Sequence, residues 1–213
     1  MESCCELGAI LNKEKDRVLF ESDNFFIAPT IGPMGIEGYL LIISKKCYSG
    51  LGQIPENQYN ELEGLITMAR GIIKDNYNQD IQIFEHGPRV CGFKGGSCLD
   101  HAHLHIVPGA NVVDEIAVDL MYRLDDKNLF YRVDRVEGFQ RSAEIKQKGI
   151  SSYFMVEAPD KRRMFVEVNF FIPSQYIRQM IAMQNSINEW DWKKFPQRNI
   201  LQKTIDKLQG KFS

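Results

Sequence analysis

Residues His101 to Pro108, His-Ala-His-Leu-His-Ile-Val-Pro, constrain this chain more than any other segment. Three of the four histidines stand at alternate positions in one apolar run. The alternation with Leu104, Ile106 and Val107 reads as a β-strand. On a strand, positions 101, 103 and 105 point the same way, with neighbours about 7 Å apart. Packing alone gives no reason for three imidazoles on one face. Proton transfer, nucleophilic attack or metal binding each does.

The chain around this run has 213 residues, enough for a sizeable core as one domain or as a domain with a large extension. Its 44% hydrophobic and 25% charged residues are ordinary for a globular protein. No apolar run approaches the roughly 20 residues that cross a bilayer. Residues Met1 to Glu6 are acidic and lack the apolar stretch of a signal peptide. A cytoplasmic protein without a membrane partner is expected, with its five cysteines reduced. No Cys-x-x-Cys occurs, so Cys4, Cys5, Cys47, Cys91 and Cys98 predict no structural zinc. Charge is uneven: residues 141 to 213 hold 13 Lys/Arg and 7 Asp/Glu, within a chain of net charge −2. That basic excess reads as solvated helix faces that could also attract a phosphorylated substrate.

Strands are expected at 17–21, 24–28, 39–43 and 80–85, followed by a glycine-bearing loop from His86 to Asp100 and then the histidine strand. The best helix runs from Pro55 to about Asn76, with Tyr59, Leu62, Leu65, Ile66, Ala69, Ile72 and Ile73 at helical spacing. Helices are expected at 112–122, 139–146, 174–184 and 198–208, with a strand at 131–136. Residues 153–157 and 164–171 read as a hairpin across Pro159-Asp160-Lys161. Strands adjacent in sequence, without a repeated βαβ unit, predict an α+β fold with a largely antiparallel sheet and flanking helices.

The spacing His101-x-His103-x-His105 followed by apolar residues resembles the histidine triad superfamily of nucleotide hydrolases and nucleotidyl transferases. Gly38 to Lys46 is similar to the family's buried strand and its Lys-Lys turn. Phe84-Glu85-His86-Gly87 is similar to the strand end that faces the substrate phosphate, and Gly95-Gly96-Ser97 to the loop before the triad. The resemblance implies a catalytic core over 1–125, with 126–213 as an extension packed on it. It implies nucleophilic attack by His103 on a nucleoside phosphate derivative, with a nucleotidyl-histidine intermediate. His101 would orient the site, and His105 would contact the phosphoryl oxygens and help protonate the leaving group. Thr30, Glu85, Gly95, Gly96 and Ser97 would bind substrate. No cofactor or metal is expected, nucleic acid is not an expected partner, and a homodimer is compatible with the pattern.

Two departures from that pattern keep other readings open. Tyr39 stands where several members have a histidine, and Glu85 where the family has a phosphate-facing amide. A carboxylate there repels phosphate unless a cation offsets it, which supports the alternative of a non-catalytic nucleotide- or RNA-end-binding module. A metal site is a further alternative, with His86, Cys98, Asp100 and Glu85 as additional ligands. Arg178 reads as a surface helix arginine, with a phosphate contact as the alternative, and Trp190 and Trp192 as core or interface anchors.

Overall fold

The computed structural model describes residues 7–88, 101–123, 130–131, 152–168 and 171–212. Among them, eight strands form one antiparallel sheet: β1 (Phe20–Glu21), β2 (Phe25–Pro29), β3 (Leu40–Ser44), β4 (Ile81–Pro88), β5 (His103–Pro108), β6 (Phe130–Tyr131), β7 (Ser152–Glu157) and β8 (Arg163–Val168). Their spatial order is β1-β2-β3-β5-β4-β7-β8-β6. The helices are α1 (Ile10–Lys13), α2 (Tyr59–Tyr77), α3 (Val113–Arg123), α4 (Tyr176–Gln184) and α5 (Arg198–Leu208). The α+β class with a largely antiparallel sheet and flanking helices is the one the sequence predicts.

Strand alternation divides the core into two layers. Ile27, Leu40, Ile42, Ile83, Leu104 and Ile106 face one side, under the stripe Leu62, Leu65, Ile66, Ala69 and Ile73 of α2. Each of these leucines and isoleucines contributes roughly 1.5–3 kcal/mol on burial. That helix stops where Asn78 takes a left-handed conformation (φ 53°) and returns its N–H to the Lys74 carbonyl. Phe26, Leu41, Ile43, Phe84, Phe154 and Val156 face the other side, against Ile116 and Leu120 of α3 and Ile177 and Ile181 of α4. The buried Gln82 side chain fixes the start of α3 by accepting the Val112 N–H at 2.6 Å.

The structure differs from the sequence reading at three strand ends. The expected strand from Arg17 is a 3₁₀ turn at Lys15–Arg17, because the buried Arg17 guanidinium turns inward to the Pro29 carbonyl at 2.7 Å. The strand expected to end at Glu85 runs on to Pro88, since β7 pairs with it throughout: Glu85 with Met155, His86 with Phe154, Gly87 with Tyr153. The triad strand begins at His103, and His101 lies in a bend before it. The hairpin forms as expected from β7 and β8, and residues 169–170 of the expected second strand lie outside the described residues. A buried Glu157 closes it, ion-paired to its cross-strand partner Arg163 and, at 2.7 Å, to Arg70. The expected helix at 139–146 and most of the strand at 131–136 lie outside the described residues.

Gly87 is required by a close approach. A Cβ there would sit 2.1 Å from Cζ of Tyr153, whose ring lies across the strand from it. Gly87→Ala should therefore push that ring aside and lower stability by about 1–3 kcal/mol. Chemical denaturation measures it, and an unchanged midpoint would show that the ring moves freely.

Candidate active site

Strands β4 and β5 and the bend before β5 bring four imidazoles together. His103 lies opposite Ile43, and His105 opposite both Leu41 and Phe84. The His103 and His105 rings sit 4.7 Å apart, edge to face, and His105 stacks on Phe84 at 4.1 Å. His101, His103, His105 and His86 are all buried.

Hydrogen-bond partners assign the protons. The His101 carbonyl, 2.6 Å from His103 Nδ1, can only accept, so Nδ1 carries the hydrogen and Nε2 keeps its lone pair. The Ser44 carbonyl likewise takes the Nε2–H of His101 at 2.6 Å. Arg178 donates to the Tyr39 hydroxyl at 3.4 Å, and that hydroxyl lies 2.9 Å from His105 Nδ1. An arginine N–H cannot accept, so the tyrosine oxygen accepts from it. A tyrosine that passes its own hydrogen to His105 Nδ1 leaves the His105 proton on Nε2, facing the side on which His103 keeps its lone pair.

Burial keeps these rings neutral. It lowers His103 to about 4, against the bond to the His101 carbonyl, and lowers His86 to about 3. His105 falls well below the usual histidine value through burial, His103 and the Arg178 charge, and burial lowers His101 too.

Arg178 is not on a surface, as expected from the sequence, but 4% exposed. It donates to the Gly32 carbonyl at 2.5 Å and the Trp190 carbonyl at 2.8 Å, and lies 5.6 Å from the Tyr39 ring centre. Its helical register gave no sign of this, and the signal lay in the Tyr39 departure, which supplies a hydroxyl for it to grip. Trp190 packs partly buried on the same core layer.

The remaining expected site residues are dispersed. Thr30 pairs its N–H with the Tyr39 carbonyl at 3.1 Å, and its hydroxyl donates to the Ile31 carbonyl at 3.2 Å. Glu85 points to the opposite face of the sheet from the triad. There it accepts the Leu51 N–H at 2.5 Å and the Tyr153 hydroxyl at 2.9 Å. Burial pushes its carboxyl up to about 8, against those two bonds. Gly95, Gly96, Ser97, Cys98 and Asp100 lie outside the described residues. Among the described residues, no group of three or more His, Cys, Asp or Glu is arranged to hold a metal ion. Cys47 is disulfide-bonded, against the expectation of five reduced thiols. The other four cysteines all lie outside the described residues. A disulfide belongs with an oxidising compartment, so cysteine usage no longer argues for the cytosol. Among the described residues, no helix is long and apolar enough to cross a membrane.

These buried groups predict a pH profile of stability. Each imidazole binds its proton more readily in the unfolded chain, near pH 6.5, than in the fold. Its contribution is complete above that value and is lost as the pH falls toward the folded pKa. Glu85 is the reverse, since its folded value of about 8 exceeds the ordinary 4.5. Its contribution is complete below 4.5 and is lost as the pH rises through 8. Four imidazoles outweigh one carboxyl in the acid range, so stability should rise up to about pH 6.5 and then decline toward pH 8. Thermal melts across pH test this. Glu85→Gln should remove the decline and leave nucleotide affinity unchanged. A large gain in affinity would place a repelling carboxylate at the triad after all.

Comparison with known proteins gives the chain a family. No curated protein matches the chain. Among solved structures, a histidine triad nucleotide-binding protein from Sulfolobus tokodaii is 24% identical, covering 49% of this chain and 68% of its own, with a TM-score of 0.42. A HIT family hydrolase from Clostridium thermocellum is 20% identical over 51% and 92%, with a TM-score of 0.40. A yeast Ap4A phosphorylase in complex with AMP is 14% identical over 76% and 63%, with a TM-score of 0.44. The family model described as scavenger mRNA decapping enzyme C-term binding matches residues 4–113. That is more than half of the chain, and the protein belongs to this family, within the histidine triad superfamily.

Proposed function

We propose that this protein hydrolyses or transfers a nucleotidyl group from a phosphoric anhydride, through a covalent intermediate on His103. One observation carries the reading: the bond from His103 Nδ1–H to the His101 carbonyl leaves an unprotonated Nε2, with the His105 ring 4.7 Å away. A neutral imidazole is a competent nucleophile near neutral pH, and burial keeps His103 neutral there.

In the first step, His103 Nε2 attacks the phosphorus of a nucleoside phosphate. The new P–N bond forms as the P–O bond to the leaving group breaks. His105 Nε2–H donates to the departing oxygen. In the second step, water or another acceptor takes the nucleotidyl group and the P–N bond breaks. The His101 carbonyl holds His103 in register through both steps, and backbone N–H groups of Gly95, Gly96 and Ser97 would meet the phosphoryl charge. Electrostatic help in this scheme comes from N–H donors, without a metal or cofactor.

The family description favours a dinucleoside polyphosphate, of which a fragment of an mRNA cap is one kind. Nucleotide sugars and nucleoside phosphoramidates offer the same reacting atoms. The non-catalytic alternative drew its weight from Glu85 and Tyr39; Glu85 faces away from the triad, bound by Leu51 and Tyr153, and the Tyr39 hydroxyl lies 2.9 Å from His105. The core at 1–125 with an extension at 126–213 remains our division of the chain. The extension contributes Arg178 to the wall of the site.

The test is a screen of purified protein against dinucleoside polyphosphates, cap analogues and nucleotide sugars, reading nucleoside monophosphate release. His103→Ala should cut turnover by several orders of magnitude while leaving the fold intact. A variant keeping more than about a tenth of wild-type kcat, a difference under about 1.4 kcal/mol, would remove His103 from the covalent step. Activity should also survive exhaustive chelation. Its loss, with restoration by added zinc or iron, would point instead to Lewis-acid chemistry.

A further inference from the structure

Arg178 brings a positive charge into the dry layer beside the triad. It is 4% exposed, and among the described residues its hydrogen-bond partners are all neutral: the Gly32 and Trp190 carbonyls and the Tyr39 hydroxyl. A buried charge without a counter-ion is costly. The two carbonyls do not account for it, since a neutral N–H satisfies a carbonyl as well. The hydroxyl does, because it also lies 2.9 Å from Nδ1 of His105.

His105 is neutral when it meets a leaving group, because burial, His103 and the Arg178 charge all oppose a second proton on its ring. A neutral imidazole that gives up its Nε2–H becomes an anion unless Nδ1 gains a hydrogen in the same step. The Tyr39 hydroxyl is within reach to give one. The guanidinium that donates to the same oxygen draws electron density from it, which strengthens the O–H as a donor. Phe84 stacks on the ring at 4.1 Å with the planes 9° apart, so His105 keeps its plane while hydrogens move at its edge.

We propose that Tyr39 and Arg178 form a proton relay behind His105. As His105 Nε2–H goes to the leaving group, the hydroxyl hydrogen of Tyr39 passes to Nδ1, and Arg178 faces the phenolate that remains. In the second step the attacking water gives its proton to Nε2, and Nδ1 returns its hydrogen to Tyr39 as the P–N bond at His103 breaks. Arg178, a positioning residue, gains its counter-ion only while the reaction is under way, which is where a charge lowers a barrier. The relay rests on the function proposed above and adds what keeps its acid supplied. Arg178 lies beyond the family-matched residues 4–113, so the relay couples that later segment to the chemistry.

The experiment compares two probes on the full chain. The phosphoramidate of AMP has an amine leaving group that must take a proton, whereas the p-nitrophenyl ester of AMP releases a stable phenolate that needs none. With Tyr39→Phe, kcat should fall at least about tenfold on the phosphoramidate and stay within about threefold on the ester. Arg178→Met should show the same selective loss and add little to it in the double variant, while Arg178→Lys recovers part. Equal losses on both probes would mark a structural role and overturn the relay, as would no loss on either. Should Arg178→Met not fold, Tyr39→Phe decides by the same comparison, since it leaves the carbonyl bonds of Arg178 in place. If the wild type cleaves the ester in a His103-dependent way and the selective loss is missing, the relay alone falls. If it cleaves neither probe, the function proposed above falls and the relay with it.

Discussion

The structure depends on the triad strand being hydrogen-bonded on both sides and covered on both faces. With β3 and β4 as its neighbours, β5 has no free edge and no wet surface. Alternation then leaves no choice about side chains: Leu104 and Ile106 enter the α2 layer, and His103 and His105 enter the α4 layer. Two polar rings are thus forced into a dry space and must be matched there. The matches they find are a carbonyl two residues earlier in the chain for one, and the hydroxyl of Tyr39, the residue before β3, for the other. Each match occupies one nitrogen and so decides what the second nitrogen can do. The chemistry of the site is a by-product of satisfying a buried strand.

The second layer of control comes from far along the chain. Arg178 lies 139 residues from Tyr39 in sequence, yet its guanidinium touches the hydroxyl that orients His105. It is held by two carbonyls, those of Gly32 and Trp190, which tie α4 to the loop after β2 and to the segment carrying the tryptophans. A cation so placed also discourages protonation of His105. The segment beyond the matched family region is therefore wired into the triad and does more than cover it.

Much of this was legible in the sequence, and the reasons are specific. The period-two pattern of 101–108 and the period-3.6 pattern of α2 are strong because each has a fully buried face. The hairpin of β7 and β8 announced itself by Pro159-Asp160-Lys161 between apolar runs. What could not be read was long-range pairing. Nothing local tells β4 to continue past Glu85; β7, some seventy residues later, does so by pairing with it. That extension turns His86 toward the triad and leaves Glu85 on the α2 side. Reading His86 as the first residue of a loop hid both facts. Arg178 was misplaced for a related reason, since a helix reveals its amphipathic face but not which buried carbonyl awaits a cation. The disulfide at Cys47 had no sequence signature, because single cysteines do not disclose their partners.

The strand order has a further bearing on how copies of this chain can meet. An open sheet normally offers its outermost strands as templates for another chain. Here β7 occupies the side of β4 that β5 leaves open, which moves the boundary of the sheet outward to β8 and β6. Among the described residues, the terminal strands β1 and β6 are two residues long each. A ladder as short as β1 gives a neighbouring backbone little to zip onto. The central histidine-bearing strands, each with a strand on both sides, are thereby insulated from edge-to-edge aggregation.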